Sequence, residues 1–381
     1  MAAKNYRLMR CRDCGFPRLV SFAVKWNDNG TISQRMRKDF RVVILNHGFI
    51  DSLFSGIEAK LGLSIEHIAF EAQRNASKSV FESVVAHVPG MDLWRKFSTF
   101  KRLGVEQFNK VACITGQCNS TTLEYVPGVY GIARLKNPFH TGMMAANVVG
   151  AFEFLEGFPF EYTLEEEERD TYIIRIRRSE RPEFAERMEL DFAPLLPGHH
   201  TFERCPRCRV PLAIASQLKW MENDGIILDT RTATRVMMLD GYMVSAVFRE
   251  LARELGDEIY EMMVDAQREW TVDHVGQLGL MESIGPLDSR ALEKAYRDYL
   301  EGLALFGQGN PVEFSMSDRT IKVTVENPYE AHVLAGTLQG LYEALEKAPG
   351  RVTWDEPAPQ VARYTVEPAG EPSGEGAGAG G

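Results

Sequence analysis

The sequence predicts an α+β protein made by tandem duplication, with each copy holding a Cys-x-x-Cys knuckle and a β-hairpin followed by helices packed on an antiparallel sheet. Three observations support this: a globular composition of 44% hydrophobic and 25% charged residues, a repeat of residues along the chain, and hairpin signals followed by helical periodicity in each copy. The predicted boundaries are 1–178 for the first repeat, 179–204 for a linker, 205–369 for the second repeat and 370–381 for a disordered Gly-rich tail.

The repeat becomes visible when the sequence is shifted by 194 positions. The residues brought into register include the pairs Cys11–Cys205, Cys14–Cys208, Trp26–Trp220, Arg41–Arg235, Phe54–Phe248 and Gln73–Gln267. Towards the end of each copy the shift is 190, which aligns Asn137-Pro138 with Asn327-Pro328. Chance does not align so many Cys, Trp, Gly and Pro residues, so we interpret the repeat as an internal duplication.

The first elements of each copy follow from turn and cap chemistry. Residues 20–26 and 31–37 flank Asn27-Asp28-Asn29-Gly30, whose glycine provides the positive φ of a hairpin turn. The next helix, over 46–60, is expected to end at Gly62. Ser64 is expected to cap the helix after that, whose apolar residues recur every three or four positions.

The later elements are predicted from apolar spacing and from Asn-Pro. A third helix is expected to bury the apolar residues Leu93, Trp94, Phe97, Phe100 and Leu103. The strands 129–136 and 320–326 each stop at Asn-Pro, where Asn can cap and Pro can take the first helical position. Helices over 138–156 and 328–347 are therefore expected, each followed by two extended segments.

The two Cys-x-x-Cys pairs indicate structural zinc. Such a turn places two thiolates on one side of a tight loop, which is half of a tetrahedral site. Both pairs precede a hairpin, whereas a redox motif would join a strand to a helix. Because each knuckle supplies two of the four ligands, we expect Cys11, Cys14, Cys205 and Cys208 to share one zinc ion across a pseudo-twofold axis.

The sequence also allows one zinc ion in each copy. Cys113 and Cys118 could complete the first site, and His199 or His200 the second. The simpler interpretation is two ordinary buried thiols and an exposed histidine pair in the linker. The sequence does not decide between one shared ion and one ion per repeat.

Four features occur together in the sequence: a strand edge at Arg41, the segment Phe54-x-x-x-Glu58-x-x-Leu61-Gly62, the Ala72-Gln73-Arg74 helix, and a strand followed by Asn-Pro, a helix and a hairpin. Together they resemble the 4-vinyl-reductase-type ligand-binding domain. The resemblance covers about two-thirds of each copy. That family includes sensor domains of aromatic-responsive transcription activators and a tetrapyrrole-biosynthesis accessory protein. The resemblance therefore implies a tandem ligand-binding domain whose ligand is apolar or aromatic.

Polar residues of the second helix recur in both copies and are candidate ligand-binding residues. They are Glu71, Gln73, Arg74, Asp265, Gln267 and Arg268. They could form an exposed helix face with intrahelical pairs. Alternatively, they could lie at the mouth of a pocket between this helix and the sheet.

The bulk composition excludes several classes of function. The net charge of −10 argues against a nucleic-acid partner, and no apolar stretch is long enough for a membrane span, so we expect no membrane partner. The N-terminus has no apolar core of a signal peptide, and the cysteine usage fits a reducing cytoplasm. The sequence leaves room for a homodimer or a protein partner.

Three functions are consistent with the sequence. The first is a cytoplasmic sensor or carrier of a small hydrophobic or aromatic molecule, with structural zinc. The second is an enzyme or accessory subunit acting on an aromatic or tetrapyrrole-like substrate, which the absence of catalytic motifs disfavours. The third is a zinc-stabilised assembly scaffold.

Overall fold

The structure, a computed structural model, describes residues 8–85, 96–180, 193–277 and 289–369. The expected tail at 370–381 lies outside these residues, as do 181–192 of the expected linker and the expected helical residues Leu93 and Trp94. Within the described part, ten helices pack against three antiparallel sheets, which confirms the α+β class. No helix among these residues is long and apolar enough to cross a membrane.

The same order of elements occurs in both halves of the chain. In the first half it is α1 (Arg18–Ala23), β1 (Val24–Trp26), β2 (Ile32–Gln34), β3 (Arg41–Asn46), α2 (Gly48–Leu61), α3 (Glu66–Val85), α4 (Ser98–Ile114), β4 (Asn119–Val126), β5 (Tyr130–Lys136), α5 (Thr141–Glu156), β6 (Phe160–Glu168) and β7 (Thr171–Arg178). In the second half it is α6 (Leu212–Gln217), β8 (Leu218–Met221), β9 (Ile226–Asp229), β10 (Thr234–Asp240), α7 (Gly241–Leu255), α8 (Glu258–Gln277), α9 (Ser289–Leu305), β11 (Asn310–Ser317), β12 (Thr320–Glu326), α10 (Ala331–Glu346), β13 (Gly350–Ala358) and β14 (Val361–Pro368).

The two halves share a central six-stranded sheet. Its strand order is β1-β2-β3-β10-β9-β8, with β3 and β10 antiparallel at the centre. In this pairing Ile44 lies opposite Met238, and the shift of 194 equates these same two residues. The equivalent residues Phe54 and Phe248 also meet, with ring centroids 6.2 Å apart. These self-paired residues define an approximate twofold axis through the middle of the molecule.

The remaining strands form two separate sheets, one in each half. Their orders are β4-β5-β7-β6 and β11-β12-β14-β13. In each half the long helices cross closely: α3 packs on α5, and α8 packs on α10. A glycine makes each crossing feasible, because a Cβ at Gly150 or Gly340 would come within 2.6 Å or 2.5 Å of a backbone carbonyl oxygen on the facing helix.

The halves exchange their packing partners. Helix α2 of the first half packs on α8 of the second, and α7 of the second packs on α3 of the first. The hairpin tryptophans follow the same rule: the Trp26 indole N–H donates to the carbonyl of Leu305 at 2.9 Å, and that of Trp220 donates to Ile114 at 2.8 Å. The front of each half therefore packs on the back of the other.

Two equivalent buried arginines join the exchanged parts. Arg41 donates to the carbonyl oxygens of Gly307 at 2.9 Å, Asn327 at 2.6 Å and Pro328 at 2.9 Å. Arg235 donates in the same way to the carbonyls of Gly116, Gln117 and Asn137. Burial lowers the pKa of each guanidinium to about 10, so both remain charged at neutral pH.

Three sequence expectations about local structure are wrong. Residues 20–23, expected to be extended in the first hairpin, belong to helix α1, and only Val24–Trp26 is extended. The helices after Asn-Pro begin at Thr141 and Ala331 rather than at proline, because Asn137 and Asn327 adopt left-handed φ values of 52° and 51°. Their side-chain amides instead donate across to the hairpin turn of the other half, at the carbonyls of Asp224 and Asn29. The chain therefore turns sharply after each strand before the helix begins.

The expected buried face of the third helix is also wrong. Helix α4 begins at Ser98, and Phe97, Phe100 and Leu103 are exposed by 53%, 42% and 52%. The helix buries Val105, Ala112 and Cys113 instead, further along the chain. Strands β4 and β11, which follow α4 and α9, were not expected, since the two copies differ most in this region.

Asp240 is a buried carboxyl at the junction of β10 and α7. Its Oδ1 accepts from the N–H of Tyr242 at 2.9 Å, while its Oδ2 has no hydrogen-bond partner. Burial raises the pKa of Asp240 to about 7. The equivalent position in the first half is Asn46, which has no titratable group and whose Oδ1 accepts from the N–H of Gly48 at 3.1 Å.

We expect Asp240 to make the protein less stable as the pH rises. The unfolded chain releases this proton near pH 4 and the folded chain only near pH 7, so this contribution to stability falls across that window and is constant above it. Asp240→Asn should remove this fall, which we estimate at roughly 2–4 kcal/mol. The measurement is the free energy of unfolding from pH 4 to 8. The reciprocal control, Asn46→Asp, should add a smaller fall, because Asn46 is only half-buried. For Asp240→Asn, a mutant-to-wild-type difference independent of pH would contradict the assignment.

Candidate metal centre and ligand cavity

Each knuckle is a tight turn closed by backbone hydrogen bonds. In the first, Cys11 N–H donates to the carbonyl of Phe16 at 2.8 Å and Gly15 N–H donates back to Cys11 at 2.9 Å. The second repeats this geometry, with Cys205 donating to Val210 and Arg209 donating to Cys205. Gly15 has the positive φ that such a turn needs, and Arg209 adopts the same conformation at φ 63°. Both thiols of each pair therefore emerge on one side of their turn.

The structure brings the four predicted cysteines together on the twofold axis. The Sγ atoms of Cys11 and Cys205 are 3.8 Å apart, and those of Cys14 and Cys208 are 3.4 Å apart. All four Sγ atoms lie within 4.8 Å of one another. Four sulfurs bound tetrahedrally to zinc at about 2.3 Å would be about 3.8 Å apart. The donor set and its spacing therefore fit a zinc site with four cysteine ligands.

The surroundings of Cys11 favour a thiolate, whereas burial raises the pKa of Cys14 and of Cys208. Burial raises the pKa of Cys11, but hydrogen bonds from the backbone N–H groups of Cys14 and Asp13 outweigh it and hold the pKa at about 7. Two ion pairs cross between the halves beside the cluster: Arg207 Nε with Asp13 Oδ1 at 2.8 Å, and Arg10 with Glu222. Cys11 and Cys205 are buried, while Cys14 and Cys208 are partly exposed. The knuckles are thus held against each other by charge as well as by packing.

The alternative zinc ligands lie outside this cluster. The thiol of Cys113 donates to the carbonyl of Glu222 at 3.1 Å, and burial raises its pKa to about 11. Cys118 is fully buried in the large hydrophobic core. His199 is exposed, and the ring of His200 packs on Phe202 with centroids 4.5 Å apart. Among the described residues, the four knuckle cysteines are the group whose atoms are close enough to hold a metal ion together.

A small apolar cavity lies beside the twofold axis, between the two halves. Both α2 and α7 line it, together with α3, α5 and β10. The lining residues are Ile50, Phe54, Gln73, Phe139, Met143, Leu239, Met243, Val244, Val247 and Phe248. Its volume is only about 10 Å3, which is close to the space of a single water molecule. The cavity is therefore nearly closed by its own side chains.

Gln73 is the one polar side chain in the cavity wall. Its Nε2 donates to Asn147 Oδ1 at 2.6 Å and to Ser77 Oγ at 3.3 Å. Its Oε1 is buried and has no hydrogen-bond partner. A buried carbonyl oxygen without a donor is costly, so this atom is suited to accept a hydrogen bond from a molecule that enters the cavity.

The equivalent glutamine of the second half has a similar environment. Gln267 Nε2 donates to Thr337 Oγ1 at 2.9 Å and to Thr271 Oγ1 at 3.2 Å, and its Oε1 is also without a partner. The second half differs from the cavity wall beside Gln73 in one large side chain. The residue that corresponds to Met243 is Phe49, which packs edge-on against Trp270. Gln267 does not line the cavity beside Gln73.

The charged candidates have structural partners instead. Arg74 pairs with the buried Glu153 and with Glu71 one turn away, and these carboxylates raise the pKa of Arg74 against the opposing effect of burial. Arg268 pairs with Glu343 at 3.0 Å, and Asp265 pairs with Lys60 at 3.0 Å. These pairs tie α3 to α5, α8 to α10 and α2 to α8. Gln73 alone among the six candidates lines the cavity.

Sequence reasoning did not find the rest of the cavity wall. Met243 and Phe248 come from the other copy, and Asn147 lies on α5, the helix that faces Gln73. The repeat alignment could have identified Asn147, because it corresponds to Thr337 and both are polar residues flanked by apolar ones in the middle of their helices.

Comparison with known proteins gives partial similarities. No protein-family profile and no curated protein matches the sequence. The phenol-responsive sensory domain of the transcription activator PoxR, solved with phenol, aligns over 41% of this chain and 86% of its own, with 18% identity and a TM-score of 0.32. A structure of the H-NOX family that concerns heme distortion aligns over 35% of this chain and 76% of its own, with 12% identity and a TM-score of 0.26. Each similarity covers less than half of this chain.

Proposed function

We propose that this protein is a cytoplasmic sensor or carrier that binds a small apolar or aromatic molecule between its two halves. The observation that carries the proposal is the cavity beside the twofold axis, with an apolar wall and one unpaired acceptor, Gln73 Oε1. Such a wall suits a ring with a single hydrogen-bond donor. The resemblance of each copy to 4-vinyl-reductase-type domains supports the same class of ligand.

Ligand entry requires the cavity to widen. Small-molecule sites usually have about 300–1,000 Å3, far more than the closed cavity offers. Met143 and Met243 are unbranched and adapt their shape at low cost, so they are the side chains that we expect to move. Because α2 and α7 belong to different halves, widening the cavity would also shift the halves against each other. Ligand binding would thereby be transmitted to the rest of the molecule.

We further propose that one zinc ion, held by Cys11, Cys14, Cys205 and Cys208, fixes the two halves at the end of the same axis. When bound, zinc supplies a structural crosslink and no chemistry. In this proposal the sequence repeats, 1–178 and 205–369, are the units of duplication. The units of packing are different, since each combines the front of one repeat with the back of the other.

The expected ligand response can be measured with phenol and toluene as probes. Both rings suit an apolar wall, but only phenol can donate to Gln73. We expect phenol to raise the melting temperature, and its affinity to exceed that of toluene by about tenfold, the value of one buried hydrogen bond. Gln73→Leu should abolish this preference for phenol.

Gln267→Leu is the matched control, because it removes the equivalent buried amide from the other half. It should leave the preference for phenol intact. If neither probe shifts the melting temperature, or if both substitutions act alike, the cavity is not the binding site.

The second candidate function is an assembly scaffold, and the near closure of the cavity favours it. In that case the zinc ion fixes the halves and the interior is filled by side chains. Native mass spectrometry of protein from its natural source distinguishes the two. A bound small molecule in addition to zinc supports the sensor or carrier, whereas zinc alone supports the scaffold.

A further inference from the structure

The first knuckle carries an apolar surface that the second knuckle lacks. Met9, Phe22 and Met36 are exposed by 72%, 76% and 85%, and they are the three most exposed large apolar side chains in the described part of the chain. Next in order is Val129 at 54%, elsewhere in the fold. Single exposed apolar residues are ordinary, but three on one small module need a reason.

Backbone hydrogen bonds place these three residues on neighbouring segments of the chain. Arg18, at the start of α1, donates its N–H to the carbonyl of Met9 at 2.8 Å. Phe22 lies one helical turn after Arg18, and both are exposed. Arg35 donates its N–H to the carbonyl of Ala23 at 2.8 Å, which brings Met36 next to the end of α1. Met9, Phe22 and Met36, together with the cations around them, form the knuckle-1 face.

The knuckle-1 face is positively charged in a protein of net charge −10. Its exposed cations are Arg12, Arg18, Arg35 and Lys38. The neighbouring carboxylates are already neutralised, since Asp13 pairs with Arg207 and Asp39 pairs with Arg37. Across the part of the chain that is described, Arg12, Arg18 and Lys38 form no ion pair.

The second knuckle acts as an internal control for this face. It has the same turn and the same cysteines, but Glu203 and Ser216 stand where the first has Met9 and Phe22. Pro206 and Leu212 replace Arg12 and Arg18, and the loop at 230–234 contains only Thr, Arg and Ala. The second knuckle has arginines of its own, including the exposed Arg209, so the two knuckles differ mainly in their apolar residues. The knuckle fold and the four cysteines therefore do not require the exposed apolar residues of the first knuckle.

We propose that the knuckle-1 face docks the protein onto an anionic lipid surface. Basic residues around protruding Phe and Met side chains match the two layers of such a surface: anionic headgroups outside and hydrocarbon beneath. A lipid surface accepts side chains that protrude singly, whereas a protein partner would need a complementary pocket for each. The expectation of no membrane partner came from the lack of a spanning segment, and surface docking requires none.

The test is flotation of the full-length protein with two kinds of vesicle, phosphatidylcholine alone and phosphatidylcholine mixed with phosphatidylserine. Wild type should float with the mixed vesicles and not with phosphatidylcholine alone, and added salt should weaken the binding. Phe22→Ser and Met9→Glu, which install the residues of the second knuckle, should each reduce binding by about tenfold. Phe22→Trp should retain it, because Trp prefers the lipid interface.

Val129→Ser is the control for loss of an exposed apolar side chain elsewhere, and it should leave vesicle binding unchanged. An unchanged circular dichroism spectrum and metal content will show that the Met9 and Phe22 variants remain folded. The proposal fails if wild type does not float with the mixed vesicles, or if the two variants float as well as wild type. It also fails if the face binds a nucleic-acid oligonucleotide or a protein in preference to the mixed vesicles.

Discussion

One zinc ion per chain is expected in the purified protein, and either Cys11→Ser or Cys205→Ser is expected to remove nearly all of it. The four sulfurs lie within 4.8 Å of one another on the twofold axis, so each knuckle contributes half of a single site. A knuckle with only two thiolates binds zinc weakly, because structural zinc requires four protein ligands. Elemental analysis of the wild type and both variants measures this.

Loss of the ion should also weaken the contact between the halves. Zinc binding free energy contributes directly to folding, and we expect a chelator to lower the free energy of unfolding by at least about 5 kcal/mol. Cys113→Ser is the control, since its thiol donates to a carbonyl away from the cluster, and it should retain the ion. Two zinc ions per chain, with one retained in each knuckle variant, would contradict the shared site.

Replacement of Arg41 by Met should cost about 3–5 kcal/mol of stability, as should the same replacement of Arg235. Each guanidinium donates to three backbone carbonyls of the other half. Methionine at 41 removes that donor from Gly307, Asn327 and Pro328, and methionine at 235 removes it from Gly116 and Asn137, while Gln117 still accepts from the N–H of Phe139. Lysine can restore part of the charge but not the planar arrangement of donors, so Arg41→Lys should fall between wild type and Arg41→Met.

The measurement is denaturant unfolding followed by circular dichroism. Lys219→Met is the control, because this exposed cation on β8 should change the stability by less than about 0.5 kcal/mol. If Arg41→Met is as stable as the control, the exchanged packing of the halves is not held by these arginines.

Local chemistry determined the elements that sequence reasoning identified correctly. Gly62 ends α2 with a left-handed φ of 68°, and Ser64 accepts a hydrogen bond from the N–H of Glu66 at the start of α3. Such turns and caps depend on residues only a few positions apart, so the sequence contains all that is needed to predict them. The starts of the helices after Asn-Pro were predicted wrongly. Asn137 and Asn327 donate hydrogen bonds to the hairpin turn of the other half, 87 and 298 positions away, and a local pattern does not contain that partner.

The candidate site residues also differed in whether the sequence alone could predict their role. The spacing of Cys11, Cys14, Cys205 and Cys208 indicated two knuckles with two thiols each, which is half of the four ligands that zinc requires. The structure brings the four thiols together. For Gln73 and Arg74 the sequence could not separate a cavity residue from an ion-pair residue. That distinction depends on whether a facing helix presents an apolar side chain or a carboxylate, and Glu153 is 79 positions from Arg74.

By itself the sequence determined that the protein is α+β, that its elements occur in two similar series, and that four cysteines are available in two knuckles. Only the tertiary structure decided that the front of each half packs on the back of the other. The two halves have the same order of elements, so Trp26 could meet either Ile114 or Leu305 with a similar contact. Chain connectivity and the shared sheet select the exchanged pairing. Local sequence patterns do not predict which half each residue packs against.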